Sequence, residues 1–330
     1  MIRIFLTLIL LVAALPAQAW WNDEWTARKA ITLNTAADGA DLKAGLDNVP
    51  VLIRLHTGNF DFVSARTDGA DLRFVSEDDK LPLKFHIEKF DPVTEVALVW
   101  VQTPKLQPGN KTQKIWLYYG NEEVAAAGGD AKATYDVTQT GVWHFAEANG
   151  APQDATAYAN HGREFNGARF AGAAIGEGVK FDGESALSIP ASPSMKIGRA
   201  AGFSVSAWVR VETAGQNAVL FSQQEGAKSI VLALEGGKLV AVVNDGSVTL
   251  RSEPTVDLPL AVWHHVALTV EEGALLYVNG QKVAESAAIC PDMTGEITLG
   301  RGFVGEVDEL NLANVARSAG PGPTETATPR

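Results

Sequence analysis

The chain has 330 residues, enough for about two domains, and its 46% hydrophobic and 20% charged content excludes wholesale disorder. A formal net charge of −12 argues against nucleic acid or anionic lipid as a partner, because both need a basic surface. The one cysteine, Cys290, excludes an internal disulfide framework and any paired-cysteine zinc or redox motif, and the six histidines show no helical metal spacing.

The first predicted element lies outside the fold. Arg3 supplies a short positive region, Ile4 to Leu15 form an apolar stretch interrupted only by Thr7, and Pro16 precedes Ala17-Gln18-Ala19. This is the pattern of a secretory signal cleaved after Ala19, and the apolar run is shorter than the ~20 residues of a bilayer span. The expectation is a periplasmic or secreted mature chain.

Strands are predicted from there on. Val49, Val51, Ile53 and Leu55 alternate with other residues, the mark of a half-buried strand. Val96 to Val101 is a continuous apolar run of strand length, which predicts burial on both faces, and Ile115 to Tyr119 is another. The small-residue stretch Val124 to Ala133 separates two sets of strands and reads as a short helix plus loop or a brief linker. Beyond it, Phe203, Val205, Ala207, Val209 and Val211 alternate with Ser204, Ser206, Trp208 and Arg210. Leu275 to Val278, Asn279-Gly280 and Gln281 to Val283 form the strongest hairpin signal, since Asn-Gly suits a type I′ turn. Residues 318–330, rich in Pro, Thr and Ala, read as a disordered tail or linker. Short strands with glycine-rich turns predict an all-β chain of two β-sandwich domains, 20–135 and 136–317.

In the second half, Gly178 to Gly183, Ile189 to Ser194, Phe203 to Val211, Trp263 to Val270, Tyr277 to Ala284 and Gly302 to Leu310 follow in order. Together they resemble the concanavalin A-like, laminin-G-like superfamily. The resemblance covers roughly 140–317 and implies a two-sheet antiparallel jelly roll. In the first half, Trp20-Trp21-Asn22, Trp25, Leu72-Arg73-Phe74, Glu88 to Asp91 and Ile115 to Asn121 are similar to the bacterial domain of unknown function 2341. Members of that family are often joined to a laminin-G-like domain and to a MotA/TolQ/ExbB proton-channel segment. The resemblance implies an envelope setting and association with an ExbB/TolQ-type complex, but no channel activity, because the 330 residues hold no such membrane segment.

Candidate chemistry centres on Glu306-Val307-Asp308-Glu309-Leu310. Jelly-roll glycosidases of family 16 alternate three carboxylates along one strand, and retaining chemistry needs two of them ~5–5.5 Å apart. Glu306 and Asp308 alternate, but the next residue on their face is Leu310, and Glu309 is predicted to point the other way, so the arrangement is incomplete. Asp308, predicted to face inward with Leu310 and Leu312, has two open readings: an ordinary hydrogen-bonded buried carboxylate, or a metal ligand. The laminin-G resemblance implies a structural calcium held by Asp308 with Glu147, Asp154 and Asn160 from the start of the domain. Ala157 and Ala159 stand where that loop pattern has glycines.

The remaining candidates read more plainly. His264 and His265, adjacent on a strand, point to opposite faces and cannot chelate one ion; one is expected core-side and one solvent-side. Trp20, Trp21 and Trp25 serve either sugar stacking or pinning of the first strand, the second favoured by their terminal position. Cys290, before Pro291, reads as an inert thiol. The expectation is an exported, non-catalytic binding or adaptor protein that recognises a glycan or an envelope protein through a lectin-like second domain. Its rivals are an ExbB/TolQ-type accessory acting by protein contacts and a jelly-roll glycosidase.

Overall fold

Alternating apolar side chains set the strands of the first half. The computed structural model describes residues 20–163, 165–254 and 256–317; the predicted signal 1–19 and tail 318–330 lie outside the described residues. Strands β1 (Ala27–Thr32), β2 (Leu46–His56), β3 (Arg73–Val75), β4 (Phe85–Asp91), β5 (Val96–Leu106) and β6 (Lys114–Tyr119) come first. They form two three-stranded antiparallel sheets, β1-β6-β3 and β2-β5-β4. Ile31, Ile53, Phe74, Val99 and Leu117 fill the core between them.

A short helix, α1 (Ala131–Thr134), follows, capped where the Asp130 carboxylate accepts the Ala133 N–H. The second half begins with β7 (Gln139–Trp143), β8 (Ala168–Ala171), β9 (Glu177–Asp182), β10 (Leu187–Ile189) and β11 (Phe203–Val211). It continues with β12 (Ala218–Glu225), β13 (Lys228–Glu235), β14 (Lys238–Asn244), β15 (Thr249–Arg251) and β16 (Val256–Asp257). The closing strands are β17 (Trp263–Val270), β18 (Ala274–Val278), β19 (Gln281–Ser286), β20 (Glu296–Arg301) and β21 (Val304–Ala313).

These make a seven-stranded sheet, β10-β20-β12-β13-β14-β15 with β16 beside β14, and an eight-stranded sheet, β19-β18-β17-β11-β21-β9-β8 with β7 beside β21. The two sandwich a core in which Trp143, Phe181, Phe203, Phe221 and Phe303 are fully buried. The described residues are thus all-β apart from very short helical turns. The β18–β19 hairpin turns through Asn279 and Gly280 at φ 50° and 77°, both in the left-handed region that the Asn-Gly pair suits. No helix among the described residues is long and apolar enough to cross a membrane.

The two halves meet face to face. Ala97, Val99 and Val101 of β5 point into the first core, while Leu98 and Trp100 on its other side pack with Leu52, Ile175 and Trp208. The apolar run 96–101 is therefore buried on both faces, as predicted, because the second half covers the outer face of the β2-β5-β4 sheet.

Candidate functional site

Two β-bulges build a polar cluster inside this interface. In β4, the pairing with β5 shifts between Ile87 and Lys89, so Glu88 is the extra residue. In β21, the pairing with β11 shifts between Ser206 and Trp208; Ser206 opposes Asn311 and Trp208 opposes Asp308, leaving the extra residue between them, where Glu309 sits at φ 52°. A bulge re-aims the side chain it carries and breaks the strict alternation of the strand. Each glutamate is thereby turned toward His144, which follows directly on β7.

The contacts are short. Glu309 Oε1 lies 2.7 Å and Glu88 Oε2 3.7 Å from His144 Nδ1. On the other side of the imidazole, His144 Nε2 is 3.0 Å from the Tyr135 hydroxyl and 3.2 Å from His86 Nε2. The Trp100 indole N–H donates to Glu88 Oε2 at 2.8 Å, and the Trp100 ring stacks on His144 at 5.4 Å between centroids. Asp308 Oδ2 accepts the Ile175 N–H at 2.7 Å. Glu309 Oε2, Asp308 Oδ1 and His86 Nδ1 are buried without a hydrogen-bond partner.

Burial dominates the electrostatics. It pushes the Glu88 carboxyl up to about 7, with the Glu309 charge adding to the effect. Burial also raises Asp308 and Glu309 well above the usual carboxylate range, and Glu309 raises Asp308 further. The His144 imidazole is held down by burial against the opposing pull of Glu88, Glu147 and Asp154, and His86 is held down to about 2 by burial and by His144. Protons are thus bound loosely by the imidazoles and tightly by the carboxyls.

His144 and Glu309 also line a cleft of about 390 Å³ between the two halves. Its floor is the outer face of the eight-stranded sheet, where Ser204, Ser206, Ala267, Thr269 and Asn311 are small or short enough to leave room. One wall is the first half, through Leu46, Asp47, Val49, Pro50 and Trp100, and Tyr135, Gln139, His265 and Arg317 also line the cleft. Gln139 Oε1 and Arg317 Nε are without hydrogen-bond partners.

The predicted calcium ligands do not come together as one site. Both oxygens of Asp154 are filled by four donors, the Val142, Thr156 and Asn160 N–H groups and the Thr156 hydroxyl. The Asn160 amide is tied to Thr140 O and Ser194, and Glu147 is paired with Arg169 at 3.3 Å. Asp308 belongs instead to the Glu88–Glu309 cluster. A carboxylate has about four lone-pair sites, so Asp154 has none left for a cation that wants six to eight oxygens. The donor set does not fit calcium.

Other expectations are corrected by the same geometry. Asp308 does not face inward with Leu310 and Leu312: those two are in the core, while Asp308 opposes Trp208 on the outer face. Glu309 does not take the face opposite Asp308, because the bulge inserts one residue and leaves both carboxylates on the outer face. Glu306 shares the outer face with Asp308 as predicted, but Arg210 holds it at 2.6 Å and Lys180 stands 3.7 Å away. His264 and His265 do take opposite faces, against Val209 and Trp208 respectively, but neither is solvent-side, since both are buried. Trp25 is buried with its N–H on Asp71 O, and Trp20 and Trp116 flank the Arg28 guanidinium, so this cluster serves the fold. Cys290 is buried, its thiol pushed up to about 12 by burial and by Asp292.

Glu88, Trp100 and Tyr135 escaped the sequence reading as site residues. The signal that marks them is His86-Ile87-Glu88 beside a strand apolar on both faces. Polar groups on that face must be buried too.

Residues 68–160 match the family described as domain of unknown function (DUF2341), and residues 181–320 match the concanavalin A-like lectin/glucanases superfamily. No curated protein matches the chain. Among solved structures, the chain is similar to the binding domain of Paraclostridial Mosquitocidal Protein 1, at 17% identity and a TM-score of 0.47, over 55% of this chain and 49% of that one. Domain 4 of AbnA, a GH43 extracellular arabinanase from Geobacillus stearothermophilus, solved with arabinotriose, matches at 20% identity and a TM-score of 0.47, over 54% of this chain and 93% of that one. The botulinum neurotoxin serotype G binding domain matches at 12% identity and a TM-score of 0.46, over 55% and 49%. The chain spans about half the length of these toxin structures. What the chain carries, in order, is a DUF2341 region followed by a concanavalin A-like domain.

Proposed function

We propose that this chain is an exported, non-catalytic binding protein whose interdomain cleft takes a carbohydrate. The observation that carries the reading is a cleft of about 390 Å³ lined by short polar side chains, Ser204, Ser206, Thr269, Asn311 and Gln139, between the two halves of the chain. A sugar hydroxyl both donates and accepts, so hydroxyl and amide side chains of this kind suit a polyol. The cleft volume falls in the range of roughly 300–1,000 Å³ usual for small-ligand sites. The lectin/glucanase superfamily match of the second half supports the same class of ligand. The signal-like N-terminus supports export to the bacterial envelope or beyond.

The test is a glycan array followed by calorimetry on the full mature chain. A saccharide that binds the wild type should bind Gln139→Ala more weakly by about tenfold, in line with one lost buried hydrogen bond. It should fail to bind Ser206→Trp, which fills the floor of the cleft. Both variants should remain folded, with Gln139→Ala losing about 1 kcal/mol of stability through its lost bond to Asn311. Absence of binding to any saccharide, or binding that both variants retain, rejects the cleft as a sugar site and favours an envelope protein as partner.

A further inference from the structure

We propose that Glu88, His144 and Glu309 bind a single divalent transition-metal ion of the zinc class at the inner end of the interdomain cleft. One imidazole nitrogen and two carboxylate oxygens, one from each half of the chain, all lie within 4.8 Å of one another. Ligands at ~2.0–2.1 Å from a tetrahedral ion stand about 3.3 Å apart, and the spacings of 2.7 and 3.7 Å from His144 Nδ1 bracket that value. The two carboxylate oxygens lie no more than 4.8 Å apart, so an ion draws together side chains that already converge.

The surroundings are those that orient metal ligands. With Nδ1 on the ion, the imidazole carries its proton on Nε2, where the Tyr135 hydroxyl at 3.0 Å and His86 Nε2 at 3.2 Å accept it. The Trp100 N–H fixes Glu88 Oε2, the oxygen nearest the imidazole. Glu309 Oε2 and Asp308 Oδ1 are buried acceptors with no donor, and these two residues are 1% and 0% exposed. Unmatched buried carboxylate oxygens are costly, and a cation at Glu309 relieves that cost directly and at Asp308 through its charge.

The donor set also selects the ion. An imidazole with two carboxylates suits zinc and its neighbours, whereas calcium takes a cage of six to eight oxygens that these residues do not supply. Tyr135, His144 and Glu309 line the cleft, which gives an ion a route in. Bound there, it joins β4 of the first sandwich to β7 and β21 of the second and fixes how the cleft walls face each other.

The experiment uses the full mature chain, stripped with chelator and titrated with zinc alone by calorimetry near neutral pH. The expected result is one equivalent bound and a higher melting temperature. Glu88→Gln and Glu309→Gln, which keep the shape and remove one charge each, should each weaken zinc by about tenfold or more, while Glu306→Gln should not. Cobalt absorption in the wild type provides a readout that needs no variant: visible bands of a four- or five-coordinate nitrogen–oxygen site are expected. A stripped wild type that binds no zinc below roughly 100 µM, or that gives only the octahedral aqueous cobalt spectrum, overturns the proposal and leaves protons to neutralise the cluster. So does zinc binding that survives unchanged in both glutamine variants.

Discussion

Glu309 and His144 are 165 residues apart, yet Glu309 Oε1 sits 2.7 Å from His144 Nδ1, deep in the interface between the two sandwiches. The contact depends on one extra residue in β21. Without the bulge, strict alternation from Val307 would turn the glutamate at 309 into the apolar core, where no polar partner waits. The left-handed φ at Glu309 is backbone strain held in place by the β11 and β7 pairings on either side.

Leu98→Ala tests whether the two halves are packed in solution as they are here. Leu98 is 1% exposed and touches Leu52, Trp100 and Ile175, outside either domain core. The truncation should cost about 2–5 kcal/mol, the range for a buried leucine whose surroundings relax only in part. Denaturant unfolding of the full chain measures it. A loss below ~1 kcal/mol would mean that the interface is loose.

The strands were legible because their apolar residues repeat at the right period, and the 96–101 run even announced a covered outer face. The cluster was not legible, because it rests on two breaks in that period. Nothing in Phe85 to Asp91 or Val304 to Ala313 says where an extra residue enters, and one misplaced residue reverses every side chain after it. Strict alternation therefore puts Asp308 on the face of Leu310 and Leu312 and Glu309 on the other, whereas the bulge leaves both carboxylates on the outer face. Nothing around His144 marks it as part of a cluster, since its partners come from strands 56 and 165 residues away.

Gly300→Ala should be among the most damaging single-methyl additions. Gly300 has φ 76°, and an added Cβ would stand 2.1 Å from the ring of Phe181, a residue fully buried in the second core. Ring displacement and left-handed strain together should cost about 3 kcal/mol or more. Gly215→Ala is the matched control: φ is 67° but nothing lies within 4 Å of the added methyl, so only the backbone strain of about 1 kcal/mol remains. Thermal melts of the two variants should therefore differ widely. Equal effects would place the Phe181 ring elsewhere.

Arg28 ties the tryptophan cluster to the first sandwich. Its guanidinium lies 4.6 and 4.3 Å from the Trp20 and Trp116 rings and pairs with Asp79, whose side chain is 3% exposed. Arg28→Met keeps much of the packing but leaves Asp79 with the Tyr118 hydroxyl as its remaining side-chain donor. The expected loss is about 2–3 kcal/mol, below the usual figure for a fully buried pair because the arginine keeps 16% exposure. Arg28→Lys should recover part of it, since the charge returns without the stacked plane. Chemical denaturation of both variants checks the order, and a lysine variant no better than methionine would show that the charge contributes nothing.

His265 gives the fold a defined response to acid. Burial holds its imidazole down to about 4, from an ordinary value of 6.5. The ring packs edge-on against Trp208, and the charged or titratable groups that share its cleft are Asp47, Tyr135, His144, Glu309 and Arg317. Between the two values the unfolded chain binds a proton that the native chain does not, so stability rises with pH across this window. The contribution is complete above about pH 6.5 and is lost progressively down to about pH 4, for a total of about 3 kcal/mol at ~1.4 kcal/mol per unit. His265→Phe retains a ring against Trp208 and cannot titrate. Denaturant unfolding at a series of pH values should therefore show a shallower decline on acidification in the variant than in the wild type, by roughly that amount over the window. Parallel curves would mean that the imidazole is solvated in the native state and that the cleft above it is open to water.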